Sequence, residues 1–362
     1  MSLVRFDPRS DVRVQTDKVT TSTWSDNTNN LQVVYTSSNQ TFTSPTSSKN
    51  FYIDVYHKDP NSATNTDYQD AEVQFACAYG NRVGSGSPDF TNDTGSFGLN
   101  ASRAVYGQYR QLVYGEENQN FQFGTHTPDD IYVINIQRAR YKNSLSLSTL
   151  SLHLTGSAEG NDKIHHLTDD SVSTNGKAIL TNIGRQFNIV SGANGVHSGS
   201  TSVQVGGSAS FGLYYPDAGL IVLNPDAFHS QSMDTQPLPL HGSHLYPGRT
   251  PGLGTNSDNN TERLYHAISG AGHFIIDSEE KITSQYYFVR AKNFEFNYSS
   301  NASFQDNKGN VAFTSMINNP RVYITTIGLY NDNNDLIAVT KLSQPIAKDP
   351  TKEMLARVNL TF

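Results

Sequence analysis

Residues 212–224 read GLYYPDAGLIVLN, and this stretch decides the fold class. Two apolar runs flank the tetrapeptide PDAG (216–219), in which proline presets φ for a turn and glycine takes the position with positive φ. Short apolar runs around such a turn are typical of a β-hairpin. The stretch therefore predicts two adjacent antiparallel strands in the middle of the chain.

Alternation of apolar and polar residues predicts further strands on the N-terminal side of this hairpin. In NFYIDVYH (50–57) apolar side chains recur at Phe51, Ile53 and Val55, on one face of a strand. In LSLSTLSLHL (145–154) the leucines move from odd to even positions. A β-bulge or a break between the two sets is expected, because only then does every leucine face inward.

The same alternation returns towards the C terminus. The runs RVYITTIGLY (321–330) and LIAVTKL (336–342) flank five turn-forming residues, which predicts a hairpin with a four- or five-residue loop. In MLARVNLTF (354–362) every second residue from Met354 to Phe362 is apolar. This pattern predicts a final strand with one buried face.

One segment has the spacing of a helix. NNTERLYHAISG (259–270) places Leu264, Ala267 and Ile268 on one helical face, with Gly270 as the stop. A single short helix leaves the class unchanged. The fold expected from the sequence is all-β, an antiparallel β-sandwich with a large β-rich insertion and an extended N-terminal arm.

The strand patterns also predict how the chain is organised. Residues 51–155 and 286–362 are expected to form the main β-sandwich, because they hold the clearest alternation. Residues 156–285 are expected to form an inserted β-rich lobe with long loops. Residues 1–50 are polar and bury little surface alone, so they are expected to form an extended arm that becomes ordered on a partner.

Composition fits a polar-faced β protein. Asn (34), Ser (39) and Thr (32) together supply 105 of the 362 residues, whereas only 16% of residues are charged. About 25% charged residues is usual. The excess of small hydrogen-bonding side chains favours turns and strand faces over helices.

Charge and hydropathy exclude several classes of function. The net charge is −7 and Lys and Arg form no cluster, so we expect no nucleic-acid binding. No apolar run approaches the length of a membrane span and the first residues lack a signal-peptide pattern, so neither is expected. A single cysteine, Cys77, allows no internal disulfide, which fits synthesis in a reducing cytoplasm such as that of a bacterial host.

Two clusters contain residues that bind metals elsewhere. His241 and His244 lie close together in LHGSHLYPG, and NDKIHHLTDD (161–170) combines two histidines with three aspartates. Neither has a standard spacing with a complete ligand set, so both are interpreted as polar loops or turns. We expect no metal and no cofactor.

No motif for nucleophilic catalysis or phosphate binding is present, and the chain is expected not to be an enzyme. Glycoside hydrolysis uses paired carboxylates that the fold, not the sequence spacing, brings together. The acidic residues considered for such a pair are Asp54, Asp130, Asp217, Glu279, Glu280 and Glu295.

Six residues are the candidates for a protein interface, because aromatic residues and arginine are enriched at interfaces. They are Tyr106, Tyr109, Arg110, Tyr114, Arg138 and Arg140. As an alternative role, the tyrosines could stack against sugar rings. Arg138 and Arg140 could instead bind an anion, although an ion pair with a carboxylate is favoured.

Five longer strings stand out when they are taken together and in order. They are AVYGQYRQLVYG, DDIYVINIQRARYKNSLSLSTLSLHL, FGLYYPDAGLIVLNPDAF, SQYYFVRAKNFEFNYSSNASF and NNPRVYITTIGLYNDNNDLIAVTKLSQP. The ordered set resembles a family of virion structural proteins of tailed bacteriophages, found especially in contractile-tailed phages of marine bacteria and cyanobacteria. The resemblance covers roughly residues 50–362.

The resemblance implies a structural assembly protein without chemistry, located in the virion tail as part of the baseplate. It implies other tail, baseplate or neck proteins and copies of itself as partners, with tail fibres as a further candidate. No catalytic residue is carried over. Two alternatives stay open: a neck or collar component that joins head and tail, and a receptor-binding or carbohydrate-recognising protein of the tail tip.

Overall fold

The computed structural model describes residues 4–37, 52–64, 69–84, 101–155, 164–198, 210–228, 260–299 and 302–361. Strands dominate these residues and pair antiparallel, so the predicted all-β class is confirmed. The chain divides into two compact units. The large unit is Val19–Glu280, and the small unit combines Met1–Lys18 with Lys281–Phe362.

The strands of the described residues are numbered in chain order. They are β1 (Val12–Ser22), β2 (Tyr52–Tyr56), β3 (Val73–Asn81), β4 (Asp130–Ile136), β5 (Ser144–Leu145), β6 (Ser151–Thr155), β7 (Ile164–Asp169), β8 (Ile179–Thr181), β9 (Gly184–Ala193), β10 (Val196–His197), β11 (Gly212–Tyr215), β12 (Leu220–Leu223), β13 (Phe274–Ile275), β14 (Asp277–Ala291), β15 (Val322–Tyr330), β16 (Leu336–Lys348) and β17 (Met354–Thr361). The helices are α1 (Ala101–Tyr114), α2 (Asn260–Ala271) and α3 (Ser315–Asn318).

One sheet organises the large unit. Its order is β13-β6-β7-β9-β11-β12-β4-β3-β2, and β8 and β10 also pair with β9. The predicted hairpin forms β11 and β12 near the centre of this order, with Tyr215 opposite Leu220. Gly219 has φ of 67°, which confirms the expected turn. Glycine is needed at this position for two reasons. It tolerates the positive φ, and a Cβ there would lie 2.6 Å from the ring of Tyr141.

Both faces of the central strands are buried. On one face an aromatic cluster forms around Phe75, whose ring centroid lies 6.1 Å from that of Trp24 and 5.3 Å from that of Phe274. The Trp24 indole donates a hydrogen bond of 2.9 Å to the Phe274 carbonyl, so its polar atom is satisfied inside the core. Helix α2 adds Leu264 and Ile268 to the same core.

Helix α1 covers the opposite face of the sheet. Tyr106 and Val113 are buried there with Phe121 from the loop that follows the helix. The helix backbone approaches β3 at Gly80, where a Cβ would lie 2.8 Å from the backbone nitrogen of Tyr106. Glycine is therefore needed at this position for the helix to lie against the strand.

The phase change among the leucines of residues 145–154 is a break, as expected. Strand β5 ends at Leu145 and β6 begins at Ser151, and between them Ser148 has φ of 63°. The fully buried leucines are Leu145, Leu150, Leu152 and Leu154, with Leu147 partly buried against the same core. The break lets both leucine sets face inward.

The small unit has two layers. Strands β1, β14 and β17 form one, with Ala291 opposite Met354 in the β14–β17 register. The hairpin β15–β16 forms the other and packs Ile327 and Leu329 into the same core as Val358. The predicted one-sided burial of the last strand is confirmed at its described apolar residues; Phe362 lies outside the described residues.

The strands group differently from the expected domain division. Of the strands from residues 51–155, β2, β3, β4 and β6 share one sheet with β7 to β12, which lie within the expected insertion of 156–285, whereas β5 pairs with β14. Residues 286–362 instead form a unit with the start of the chain. Cross-strand pairing over long sequence separations decides this grouping, and local alternation carries no information about it.

Residues 4–37 do not form a separate arm. Strand β1 pairs with β14 of the same chain, and Trp24 and Leu31 are buried in the core of the large unit. The polar segment is held because β1 adds to a sheet edge and two large side chains fill the core. Residues 38–50 lie outside the described residues.

Helix α2 confirms the predicted helix, but the expectation of a single helix was wrong. Helix α1 spans 14 residues and contains the predicted interface tyrosines. Its signal is the recurrence of Val105, Tyr109 and Val113 at intervals of four. Valine, tyrosine and glycine are weak helix formers, and this composition masked the spacing.

Candidate functional site

Of the predicted interface residues on α1, Tyr106 is buried, whereas Tyr109, Arg110 and Tyr114 are partly exposed. Tyr106 is 1% exposed, and its hydroxyl accepts a hydrogen bond of 3.2 Å from the Phe121 backbone N–H. Burial raises the pKa of Tyr106, and of Tyr109 and Tyr114, above its ordinary value. Arg110 places its guanidinium 5.7 Å from the Tyr106 ring centroid. These contacts assign Tyr106 to the core rather than to a surface.

The two other candidates follow β4 on a short 3-10 helix, Arg138–Arg140. Arg138 donates a hydrogen bond of 2.6 Å to the Tyr141 carbonyl and lies over the Tyr141 ring. Arg140 forms an ion pair of 2.6 Å with Glu72. Strand β4 ends before the arginines, which explains why they do not continue its buried face.

The cluster predicted at residues 161–170 is described from Ile164 onwards, where it has a structural role, and Asp162 lies outside the described residues. Asp169 accepts hydrogen bonds from the backbone N–H groups of Ser148 and Ser171. Asp170 accepts hydrogen bonds from the Asn188 backbone and side chain. Burial raises the pKa of Asp169 above its ordinary value, against the effect of these hydrogen bonds. Both carboxylates thus hold turns and neighbouring strands in place.

Across the described ranges, no group of three or more His, Cys, Asp or Glu residues is arranged to hold a metal ion. His241 and His244 lie outside the described residues. None of the helices in the described part of the chain is both long and apolar enough to cross a membrane.

Three histidines form a row across neighbouring strands of the large sheet. His153 of β6 lies opposite His166 of β7, with ring centroids 4.0 Å apart. On its other side His153 stacks on His273 at 3.8 Å, and the Ser151 hydroxyl lies 3.0 Å from His273 Nε2. Burial, followed by the two neighbouring histidines, lowers the pKa of His153 to about 4. His153, in the middle of the row, is therefore uncharged near neutral pH.

The small unit carries an exposed apolar surface on the hairpin β15–β16. We call Tyr330, Leu336, Ile337 and Val339 the hairpin patch. Val339 lies opposite Gly328, and a Cβ at Gly328 would lie 3.0 Å from the Tyr330 ring and 3.2 Å from Leu336. Leu336, Ile337 and Val339 are 52%, 65% and 53% exposed. The four side chains thus gather at the loop end of the hairpin, on its outer face.

The hairpin patch was not predicted from the sequence. The register of the hairpin shifts between Leu329 and Tyr330, which leaves Ile337 as an extra residue and allows Leu336 and Ile337 both to be exposed. With Ala338 turned towards the core, Ile337 is forced outward.

No protein-family model, no curated protein and no solved structure matches this chain. The resemblance to phage virion proteins therefore rests on the sequence strings quoted above.

Proposed function

We propose that this protein is a non-enzymatic structural protein of a tailed bacteriophage particle. In this proposal several copies assemble in the tail baseplate and contact one another and neighbouring tail or fibre proteins. The position at the neck, between head and tail, is the alternative within the same role.

The hairpin patch is the observation that carries the proposal. Soluble monomers rarely expose contiguous apolar surface of large side chains, and such surface marks sites of protein association. Ile337 and its neighbours form a surface of this kind at the end of a two-stranded ribbon. Within the described residues β15 and β16 pair only with each other, so their outer backbone edges offer hydrogen bonds to a neighbouring strand.

The rest of the chain supports the proposal by its composition. The ordered strings resemble virion structural proteins, and the polar strand faces rich in Asn, Ser and Thr suit a protein made for contacts. The net charge of −7 gives no electrostatic surface for a nucleic-acid backbone.

The test replaces Ile337 by aspartate in the phage that encodes the protein. Because Ile337 is mostly exposed, Ile337→Asp is expected to fold but to be absent from purified particles, since a charge in an apolar contact is costly. Leu112→Asp, on the exposed side of α1, is the matched control and is expected to enter particles normally.

Quantitative mass spectrometry of gradient-purified particles measures the copies of each variant. Equal incorporation of Ile337→Asp and the unmodified chain would remove the hairpin patch from the assembly. Complete particles that contain the variant but no longer bind cells would favour the receptor-binding alternative.

A further inference from the structure

The large unit contains a cleft of about 610 Å³. Its walls are the C-terminal end of α1, the loop that follows this helix, and the strands β8 and β9. Small-ligand sites in proteins have volumes of about 300–1,000 Å³, so the cleft is large enough for a ligand of two or three sugar rings or a short peptide.

The lining has an unusual chemistry. Five of its eleven residues carry side-chain amides, and none carries a charge at neutral pH. The amides are Gln119, Gln122, Asn182, Gln186 and Asn188. Neutral donors and acceptors of this density suit a ligand rich in hydroxyl groups, and they give no attraction for an ionic one.

Two of the amides are held in fixed orientations. The Tyr215 hydroxyl donates a hydrogen bond of 3.0 Å to Gln186 Oε1, so Nε2 is the atom of Gln186 that can donate to a ligand. Asn188 Nδ2 donates a hydrogen bond of 2.9 Å to Asp170, so Oδ1 is the atom of Asn188 that can accept. The two residues are two positions apart on β9, hence on one face and roughly 7 Å apart.

A fixed donor beside a fixed acceptor matches adjacent hydroxyl groups, since each hydroxyl both donates and accepts. Apolar side chains complete the cleft and can cover the C–H face of a sugar ring. Leu180 is 80% exposed and Ile179 is 60% exposed, and Tyr114 adds an aromatic ring. Aliphatic side chains that are exposed to water are unfavourable in the free protein, and they would be stabilised by contact with the apolar face of a ligand held by the amides.

We propose that this cleft binds a neutral oligosaccharide. The amides supply hydrogen bonds to its hydroxyl groups, and Ile179, Leu180 and Tyr114 pack against its rings. The site lies within the large unit and does not depend on the assembly role, so either proposal can fail while the other holds.

Isothermal titration calorimetry with the purified full chain tests the inference. The probes are maltotriose, cellotriose and chitotriose as neutral sugars, trigalacturonic acid as a charged one, and a blocked hexapeptide of Ser, Thr and Gln. We expect saturable binding of at least one neutral trisaccharide. Binding of none of the three, or tighter binding of the acid or of the peptide, would overturn the proposal.

Variants then assign the binding to the cleft. Gln119→Ala combined with Gln122→Ala removes two exposed amides and is expected to weaken binding by about tenfold. Gln186→Glu keeps an acceptor for Tyr215 but removes the donor, and is expected to weaken binding to a similar degree. The control Gln108→Ala changes an exposed amide of α1 outside the cleft and is expected to leave binding unchanged. Binding that survives in both cleft variants would place the sugar elsewhere and contradict the inference.

Discussion

The central strands of the large unit and the hairpin β15–β16 of the small unit differ in how far their large apolar side chains are buried. In the large unit Trp24, Phe75 and Phe274 are almost completely buried. In the small unit Tyr323 and Ile337 are both more than 60% exposed. The central strands of the large unit are covered on both faces, whereas the ribbon β15–β16 is described with only one face in a core.

This difference indicates a division of roles. A unit with two buried faces stabilises itself, because each large side chain removed from water contributes about 1.5–3 kcal/mol. A unit that leaves such side chains in water forgoes that stabilisation unless another surface covers them. We therefore expect the large unit to supply most of the stability, and the exposed ribbon of the small unit supports the proposed role in association.

The largest effect is expected in the aromatic core of the large unit. Phe75→Ala should lower the free energy of unfolding by about 3–5 kcal/mol, because it removes a buried ring between Trp24 and Phe274. Tyr323→Ala in the small unit is the contrast and should change it by less than about 0.5 kcal/mol. Urea unfolding measures both, and equal losses would break the comparison.

A buried lysine anchors the small unit. Lys348 is fully buried, and its ammonium donates hydrogen bonds to the carbonyls of Asn293 and Asp349 and to Asn297 Oδ1. Lys348→Met should cost about 2–3 kcal/mol, because these oxygens lose a charged donor. Lys341→Met removes an exposed lysine of the same strand and should be nearly neutral in thermal unfolding. A neutral Lys348→Met would show that the anchor contributes nothing.

Two glycines test how closely helix α1 is held against the large sheet. Gly80→Ala should destabilise by about 1–3 kcal/mol, since its Cβ meets the backbone of Tyr106. Gly107→Ala lies within α1 with open space around it and should stabilise by about 0.5–1 kcal/mol. If chemical denaturation ranks the two variants in the opposite order, the described contact between α1 and β3 is wrong.

The smallest expected effect is the loss of stability at acidic pH that arises from the histidine row of the large unit. The pKa of His153 is about 4, below the ordinary value of about 6.5, so between these pH values the unfolded chain binds more protons than the folded one. Stability is complete above pH 6.5 and falls as the pH drops towards 4. The effect is modest, because His153 is partly exposed.

His153→Gln should flatten this part of the stability profile, measured as the unfolding midpoint between about pH 7 and pH 4. Its neighbours His166 and His273 stay in place, and His197→Gln serves as the control on β10. An unchanged slope in His153→Gln would show that the row does not sense acid.

Local chemistry predicted the features that depend on neighbouring residues. The turn at Gly219, the break near Ser148 and helix α2 follow from positive φ, side-chain alternation and helical spacing. The pairing of β1 with β14 joins segments more than 250 residues apart, and no local pattern indicates it. The cleft could not be predicted from the sequence, because its lining residues come from α1, the loop after α1 and the strands β8 and β9, which only the fold brings together.

The decisive experiment for the proposed assembly role is a reconstruction of the intact phage particle at side-chain resolution. It is expected to show repeated copies of this chain in the tail, with Leu336, Ile337 and Val339 of the hairpin patch covered by a neighbouring subunit. If the chain is absent from the particle, or if the hairpin patch is open to solvent in every copy, the proposed role is wrong.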